Sequence, residues 1–187
     1  MSKSSLPKFD LVKFAKKRKS YRIVACGTTQ SGKTYFLKDL TTKLQQYKKV
    51  KIYIVDIKYE FNSIKTLTIP FDLRQNNFKR KVRKIKVNGI EYDDPIKITE
   101  FVSAFAWNTH PSLVYIEEAE EFLNVNAHLP RQHPLLYKCL QQGASRNISV
   151  IVASQMISKL HKSFVRQSTD IFIFAVKKKN AWTLKKF

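Results

Sequence analysis

The residues best suited to chemistry form one glycine-containing segment, Gly27-Thr28-Thr29-Gln30-Ser31-Gly32-Lys33-Thr34. It fits the pattern G-x-x-x-x-G-K-[ST] at every fixed position. In such a loop the glycines let successive backbone N–H groups converge on phosphate oxygens, Lys33 reaches the β and γ phosphates, and Thr34 can ligate Mg²⁺. The segment predicts a nucleotide triphosphate site, in which we include the next residue, Tyr35. A plain turn between a strand and a helix is the alternative interpretation.

Two consecutive carboxylates supply what hydrolysis needs beyond a phosphate loop. Glu117 and Glu118 follow the apolar run 113–116, so they are expected at the carboxyl end of a central strand, where open α/β sheets bind ligands. The first would face Mg²⁺, and the second would polarise the attacking water. The alternative is an acidic helix start, since Glu120 and Glu121 follow closely and acidic residues favour helix N-termini.

Two further polar residues flank a later apolar strand. Gln155 comes directly after it, so its amide is expected at the same edge of the sheet, where it can sense the γ-phosphate or orient water. Arg146 comes just before it, towards the opposite edge, too far to reach the nucleotide of its own chain. The residues alone favour an ordinary surface arginine; an arginine that acts on a neighbouring copy is the alternative.

The elements that must position these groups alternate along the chain. Apolar runs predict strands at 21–26, 51–56, 112–117, 148–153 and 170–176. Helical spacing predicts helices after Lys33, after Asp93-Asp94-Pro95, and over 135–142. Strands that alternate with helices predict an α/β fold with a parallel sheet. Residues 57–93 are the hardest to interpret, with short strands predicted at 65–69 and 84–87 and a basic segment, 74–83, between them.

Length and composition suit a single domain. The 187 residues, 43% of them hydrophobic, predict one α/β domain over 21–187, preceded by a mobile basic arm over 1–20. No apolar run approaches the roughly 18 residues of a membrane span, so we expect a cytoplasmic protein that is not transmembrane. Cys26 and Cys139 are interpreted as small buried hydrophobes.

The charge predicts a polyanionic partner. Thirty-five Lys and Arg residues against 14 Asp and Glu give a formal net charge of +21, with basic clusters at 13–19, 74–86 and 177–186. Nucleic acid is favoured, because phosphate contacts release counterions without any need for base contacts. No recognition helix is evident, so binding is expected to be independent of sequence. For any one cluster, a solvated lysine-rich surface is an equal alternative.

Taken together, the segments at 27–34, 55–61, 114–120 and 146–155 resemble the FtsK/HerA superfamily. More narrowly, the chain is similar to the small genome-packaging ATPases of tectiviruses and turreted icosahedral viruses. The resemblance implies a three-layer α/β/α P-loop NTPase of the ASCE, RecA-like type, with sheet order 5-1-4-3-2. It also implies a hexameric ring that hydrolyses ATP with Mg²⁺ and moves double-stranded DNA, in the host cytoplasm or the virion, with capsid or internal-membrane proteins as further partners.

The resemblance also implies roles for the singled-out residues. Lys33 and Thr34 bind nucleotide and Mg²⁺, Glu117 the metal, Glu118 is the catalytic base, Gln155 the sensor, and Arg146 the finger that acts in trans. The family's usual Asp is Glu117 here, and its usual glycine after the second strand is Tyr59. The predicted function is an ATP-driven DNA motor that packages a viral genome. Two alternatives stay open: a small-molecule P-loop kinase, and a non-enzymatic basic module that binds nucleic acid.

Overall fold

A parallel β-sheet forms the centre of the protein. The computed structural model describes residues 10–55, 79–82, 85–87, 90–92 and 94–174. Within them, six parallel strands lie in the order β3-β2-β6-β7-β1-β8. The strands are β1 (Arg22–Cys26), β2 (Lys51–Val55), β3 (Lys79–Val82), β6 (Ser112–Ile116), β7 (Ile148–Ser154) and β8 (Asp170–Ile173). A separate antiparallel pair consists of β4 (Ile85–Val87) and β5 (Ile90–Tyr92).

The predicted strand order is confirmed. The five predicted strands correspond to β1, β2, β6, β7 and β8, and from the β8 edge they lie in the order 5-1-4-3-2. The last predicted strand, 170–176, ends at Ile173 within the described residues, and position 56 of the second lies outside them.

The basic segment at 74–83 is only partly a connection. Lys79–Val82 is a sixth strand, parallel to β2, at the edge of the sheet. Its sequence, Lys-Arg-Lys-Val, lacks the apolar run from which the other strands were predicted. An edge strand tolerates charged residues, because backbone pairing with one neighbour holds it in the sheet. The predicted strand at 84–87 is observed as β4, and the one at 65–69 lies outside the described residues.

Helices cover both faces of the sheet, which confirms the three-layer prediction. One apolar cluster joins alternate strand residues to α1 (Leu11–Lys17) and α2 (Lys33–Lys48). The other joins the remaining strand residues to α3 (Pro95–Asn108), α4 (Leu129–Gln132), α5 (Pro134–Gln142) and α6 (Lys162–Gln167). The predicted start of α3 is observed, since the Asp94 side chain accepts a hydrogen bond from the Ile96 N–H at 2.9 Å. No helix among the described residues is long and apolar enough to cross a membrane.

The mobile arm predicted over residues 1–20 is wrong for its second half. Residues 11–17 form α1, which is capped by Asp10 and packs against α2. Phe14 and Ala15 are buried, and the Tyr21 hydroxyl donates to the Phe14 carbonyl oxygen. Phe14, Ala15 and the partly buried Leu11 lie on the same face of the helix, so the lysines on its other faces do not prevent it from packing.

Candidate active site

The phosphate loop connects β1 to α2, and its first residue packs closely against neighbouring residues. The Gly27 N–H donates to the Ser154 carbonyl oxygen at 3.1 Å, which holds the start of the loop against the end of β7. A Cβ added at Gly27 would lie 2.6 Å from Phe174 Cβ and 2.8 Å from Ser31 Oγ, so only glycine fits there. Gly32 has a left-handed φ of 86° at the start of α2, which glycine adopts without strain.

Lys33 is held by backbone oxygens at the first turn of α2. Only 7% of the residue is exposed, and its Nζ donates to the carbonyl oxygens of Ser154 at 3.1 Å and Gly27 at 3.5 Å. This ammonium group lies at the positive end of a 16-residue helix, where N–H groups lack intrahelical partners. Both features favour an anion at this position.

A buried hydroxyl in the loop provides a further test of whether a phosphate fits. The Ser31 Oγ atom is buried and has no hydrogen-bond partner in the protein. A buried hydroxyl without a partner is unfavourable, and a phosphate oxygen would supply an acceptor. The donor set at Ser31, Lys33 and the start of α2 therefore fits a bound polyphosphate.

The two predicted carboxylates lie at the end of β6, all of whose residues are buried. The Glu117 N–H donates to the Val55 carbonyl oxygen at 3.3 Å, so Glu117 continues the pairing with β2. It is 3% exposed, and the Tyr115 hydroxyl donates to its Oε1. Glu118 leaves the strand in a left-handed conformation, φ 48° and ψ 44°, and is 7% exposed. Such a conformation is unfavourable for a residue with a Cβ and is concentrated at functional sites.

Gln155 donates hydrogen bonds to two carboxylates, those of Glu118 and Glu120. Its Nε2 donates to Glu118 Oε1 at 2.9 Å, and its backbone N–H donates to Glu120 Oε1 at 2.7 Å. The segment after Glu118 is a single 3-10 turn, Ala119–Glu121, rather than the start of a longer helix. Sequence reasoning missed Glu120 and Tyr115 as partners of the site. Tyr115 had a signal, because residues i and i+2 of a strand point to the same face, whereas the contact of Glu120 spans 35 residues.

These groups surround one cavity of about 300 Å³. It is lined by loop residues together with both carboxylates and the amide, namely Thr28, Thr29, Gln30, Ser31, Gly32, Lys33, Thr34, Tyr35, Glu117, Glu118 and Gln155. Gly27 lies at the start of the loop and does not line the cavity. Tyr35 is 81% exposed at the rim. Thirteen residues were predicted as site residues, and the structure brings together all of them except Arg146.

Arg146 lies at the opposite end of the sheet, separated from the start of β7 by Asn147. It is half-buried, its Nη1 donates to the Trp107 carbonyl oxygen at 3.1 Å, and its guanidinium carbon stands 4.5 Å from the centre of the Trp107 ring. Lys138 Nζ stands 4.4 Å from the centre of the same ring. Arg146 therefore makes no contribution to the cavity of its own chain.

The cysteine near the cavity, Cys26, has a raised pKa. Cys26 ends β1 and is buried and free. Burial raises the pKa of its thiol, while the nearby Lys33 charge lowers it less. A thiol with a raised pKa stays protonated at neutral pH. Cys139 is buried too, and burial raises its pKa to about 12. Both cysteines are buried, as their apolar neighbours predicted.

Comparison with known proteins points to the same fold. The genome-packaging NTPase B204 of Sulfolobus turreted icosahedral virus 2, in complex with ATP-gammaS, has a TM-score of 0.68 at 16% identity, over 90% of this chain and 82% of that one. B204 of Sulfolobus turreted icosahedral virus, a DNA-packaging ATPase, has a TM-score of 0.63 at 18% identity, over 88% and 80%. The cytoplasmic domain of EssC has a TM-score of 0.59 at 13% identity, over 89% and 33%.

Sequence comparison identifies the family. A search of curated proteins found no match. The family model described as the central domain of the helicase HerA matches residues 22–186, from the first residue of β1 to the penultimate residue of the chain. That range contains the phosphate loop, both carboxylates, Gln155 and Arg146. The chain therefore belongs to the HerA central-domain family, within the FtsK/HerA superfamily of P-loop NTPases.

Proposed function

We propose that the protein is a Mg²⁺-dependent ATPase that translocates double-stranded DNA and packages a viral genome into a preformed capsid. The observation that carries the proposal is the hydrogen bond from Gln155 Nε2 to Glu118 Oε1 at the wall of the phosphate-loop cavity. It joins a carboxylate able to accept a proton to an amide able to sense the γ-phosphate. Family membership favours this function over a small-molecule kinase.

The residues suggest a direct hydrolytic step. Glu118 orients a water molecule in line with the γ-phosphorus and accepts its proton as the new P–O bond forms and the bond to the β,γ-bridging oxygen breaks. ADP and inorganic phosphate are the products. Lys33 and Ser31 donate to phosphate oxygens, and the amide of Gln155 holds the Glu118 carboxylate until the phosphate group is in place.

Thr34 and Glu117 are the residues that would hold Mg²⁺. Thr34 follows Lys33 in the first turn of α2, and Glu117 lies across the same cavity. The Tyr115 hydroxyl fixes the Glu117 carboxylate through Oε1, so the longer side chain, in place of the family's Asp, has a defined position. A bound Mg²⁺ ion would neutralise charge on the β and γ phosphates and on the leaving group.

Two further observations support DNA as the substrate and a ring as the assembly. The net charge of +21 suits a polyphosphate partner, and the B204 proteins with the same fold are described as genome-packaging enzymes. Arg146 lies away from the cavity of its own chain, so it is suited to act on the nucleotide of a neighbour in a hexameric ring. Capsid or internal-membrane proteins are the further partners that this proposal implies, with the motor in the host cytoplasm or the virion.

The test is ATP turnover with and without double-stranded DNA over a range of protein concentrations. We expect DNA to stimulate turnover, and turnover per chain to rise with concentration as rings assemble. Glu118→Gln is expected to lower turnover at least about a hundredfold while ATP binding is retained. The matched control is Glu121→Gln, the same change at an exposed residue that does not line the cavity. Equal turnover in the two variants would refute the role of Glu118, and Lys33→Ala is expected to lose nucleotide binding itself.

A further inference from the structure

A second charged feature lies at the other end of the sheet, where α1 and α2 both end. Lys48 Nζ donates to the Lys16 carbonyl oxygen at 3.3 Å, and Lys16 Nζ stands 4.7 Å from the centre of the Tyr47 ring. These contacts bring the last turns of the two helices together. The chain continues from α1 towards β1 and from α2 into β2, so the lysines of both connections lie at the amino ends of the strands.

Six lysines make up this surface, which we call the amino-end patch: Lys16, Lys17, Lys19, Lys48, Lys49 and Lys51. Four of them are exposed and the other two are half-buried. No acidic residue occurs in 11–19 or in 40–55. Arg18, which lies between Lys17 and Lys19, forms an ion pair with Asp170. The two segments that carry the patch therefore contribute positive charge and no carboxylate of their own.

Helix dipoles account for only part of this charge. Lys16, Lys17 and Lys48 lie in the last turns of their helices, where cations are favourable. Lys49 caps the C-terminal end of α2, where a cation is favourable as well. Lys19 and Lys51 lie outside both helices, so a helix end does not account for their positions. Like charges held close together destabilise the folded chain unless an anion binds among them.

A cavity within the patch offers a place for a phosphate group. It has a volume of about 250 Å³ and is lined by Lys19, Lys48, Val50, Pro111 and Asn147. Two ammonium groups and an amide can all donate to phosphate oxygens. The cavity is distinct from the nucleotide site, because Val50 and Pro111 precede β2 and β6 whereas the nucleotide site follows the carboxyl ends of these strands.

We propose that the amino-end patch binds the phosphate backbone of double-stranded DNA independently of sequence. A polymer with regularly repeated phosphates matches charges that extend over two helix ends and two strand starts better than a single small anion does. Lysine contacts to phosphates carry no base information, so no sequence preference follows. The choice of DNA as the polyanion rests on the proposed function. The location of the binding surface does not rest on it, and binding of DNA there requires no ATP hydrolysis.

The test compares two double substitutions that change the charge equally. Lys19→Glu with Lys49→Glu reverses two exposed lysines of the patch, and Lys159→Glu with Lys162→Glu reverses two exposed lysines near the carboxyl ends of the strands. Binding of a labelled 30-base-pair duplex is measured by fluorescence anisotropy without nucleotide, at several salt concentrations and with two unrelated sequences. Lys19→Gln with Lys49→Gln provides a milder version should the reversal impair folding.

The patch pair is expected to lower DNA affinity at least about tenfold and to reduce the slope of log K against log salt by about 2, since each lost phosphate contact removes about 0.9. The control pair is expected to change affinity less than about threefold. Equal losses in both pairs would mean that only total charge matters, and no loss in the patch pair would place the DNA elsewhere; either result overturns the proposal.

Two additional measurements distinguish DNA binding at the patch from the proposed ATP hydrolysis and from membrane binding. ATP turnover without DNA should be the same in the patch pair and the wild-type chain. The patch pair therefore tests DNA binding alone, whereas Glu118→Gln tests hydrolysis, and either result can fail without the other. Vesicles of phosphatidylserine test a membrane as the occupant. If the patch pair loses binding to vesicles but keeps its DNA affinity, the patch is a lipid-binding surface and the proposal is wrong.

Discussion

Replacing Ser31 by alanine should change stability and nucleotide affinity in opposite directions. Without nucleotide, the buried Oγ atom has no partner in the protein, and a buried polar atom left unsatisfied costs about 1–3 kcal/mol. Removing it should raise the free energy of unfolding by about 1 kcal/mol, which corresponds to about 2–4 °C in Tm for a chain of this size. With ATP bound, we expect the same hydroxyl to donate to a charged phosphate oxygen, a bond worth about 1.5–3 kcal/mol. Its loss should raise the Kd about tenfold to a hundredfold.

The assay is thermal unfolding of the free chain combined with calorimetric titration of a non-hydrolysable ATP analogue. The control is Ser103→Ala, because Ser103 is also buried but its Oγ donates to the Thr99 carbonyl oxygen at 2.7 Å. Losing that satisfied bond should lower stability by about 1 kcal/mol and leave nucleotide affinity unchanged. The two serines differ in whether the hydroxyl has a partner, so the comparison isolates that difference.

Two outcomes would refute the reasoning about Ser31. A free Ser31→Ala chain that unfolds at a lower temperature than the wild type would mean that its hydroxyl makes a stabilising bond in the absence of nucleotide. An unchanged Kd would mean that the hydroxyl does not contact phosphate. The prediction holds only if both signs are observed in the same variant, because neither sign alone distinguishes a phosphate ligand from a packing effect.

Two other predictions concern the rim of the cavity and a buried histidine. Tyr35→Ala should raise the Kd for ATP about fivefold, because it removes about 1 kcal/mol of stacking between the tyrosine ring and the base. Affinity for inorganic triphosphate, which has no base, should not change. Tyr35→Phe keeps an aromatic ring and should bind ATP like the wild type. Burial lowers the pKa of His133 from 6.5 to about 4, so the unfolded chain binds a proton that the folded chain does not. Chemical denaturation should therefore show the free energy of unfolding falling by up to about 3 kcal/mol from pH 6.5 to 4. His133→Leu should reduce this fall. The control His128→Gln, at an exposed position, should not change it.

The sequence predicted most of the residues that meet at the cavity, because their positions follow the rules of parallel sheets. A glycine loop after the first strand, carboxylates after the third and an amide after the fourth must meet at one edge once the strands are parallel. Side-chain contacts could not be predicted in this way. The bond from the Gln155 backbone to Glu120 depends on how a 3-10 turn follows Glu118, and no spacing of residues encodes that.

The failures of sequence interpretation have a common physical cause. Three of the seven residues of α1 are lysines, and three of the four residues of β3 are basic, so composition alone indicates a solvated segment in both. A helix nevertheless needs only a narrow apolar stripe when a neighbouring helix covers it, as α2 does for α1. An edge strand needs only the backbone of the next strand, as β3 shows with β2. Net charge therefore obscures elements that tertiary contacts stabilise.

The position of Arg146 constrains how it can take part in catalysis. Asn147 and the seven residues of β7 separate it from Gln155. At about 3.3 Å per residue the strand alone spans about 23 Å, which exceeds the reach of an arginine side chain. Contact with its own nucleotide would require the sheet itself to break. The bond to Trp107 uses one of five N–H donors, and the ring holds the guanidinium group at the amino end of the sheet. If Arg146 takes part in hydrolysis, it must act on the nucleotide of a neighbouring copy, and turnover per chain must then depend on protein concentration.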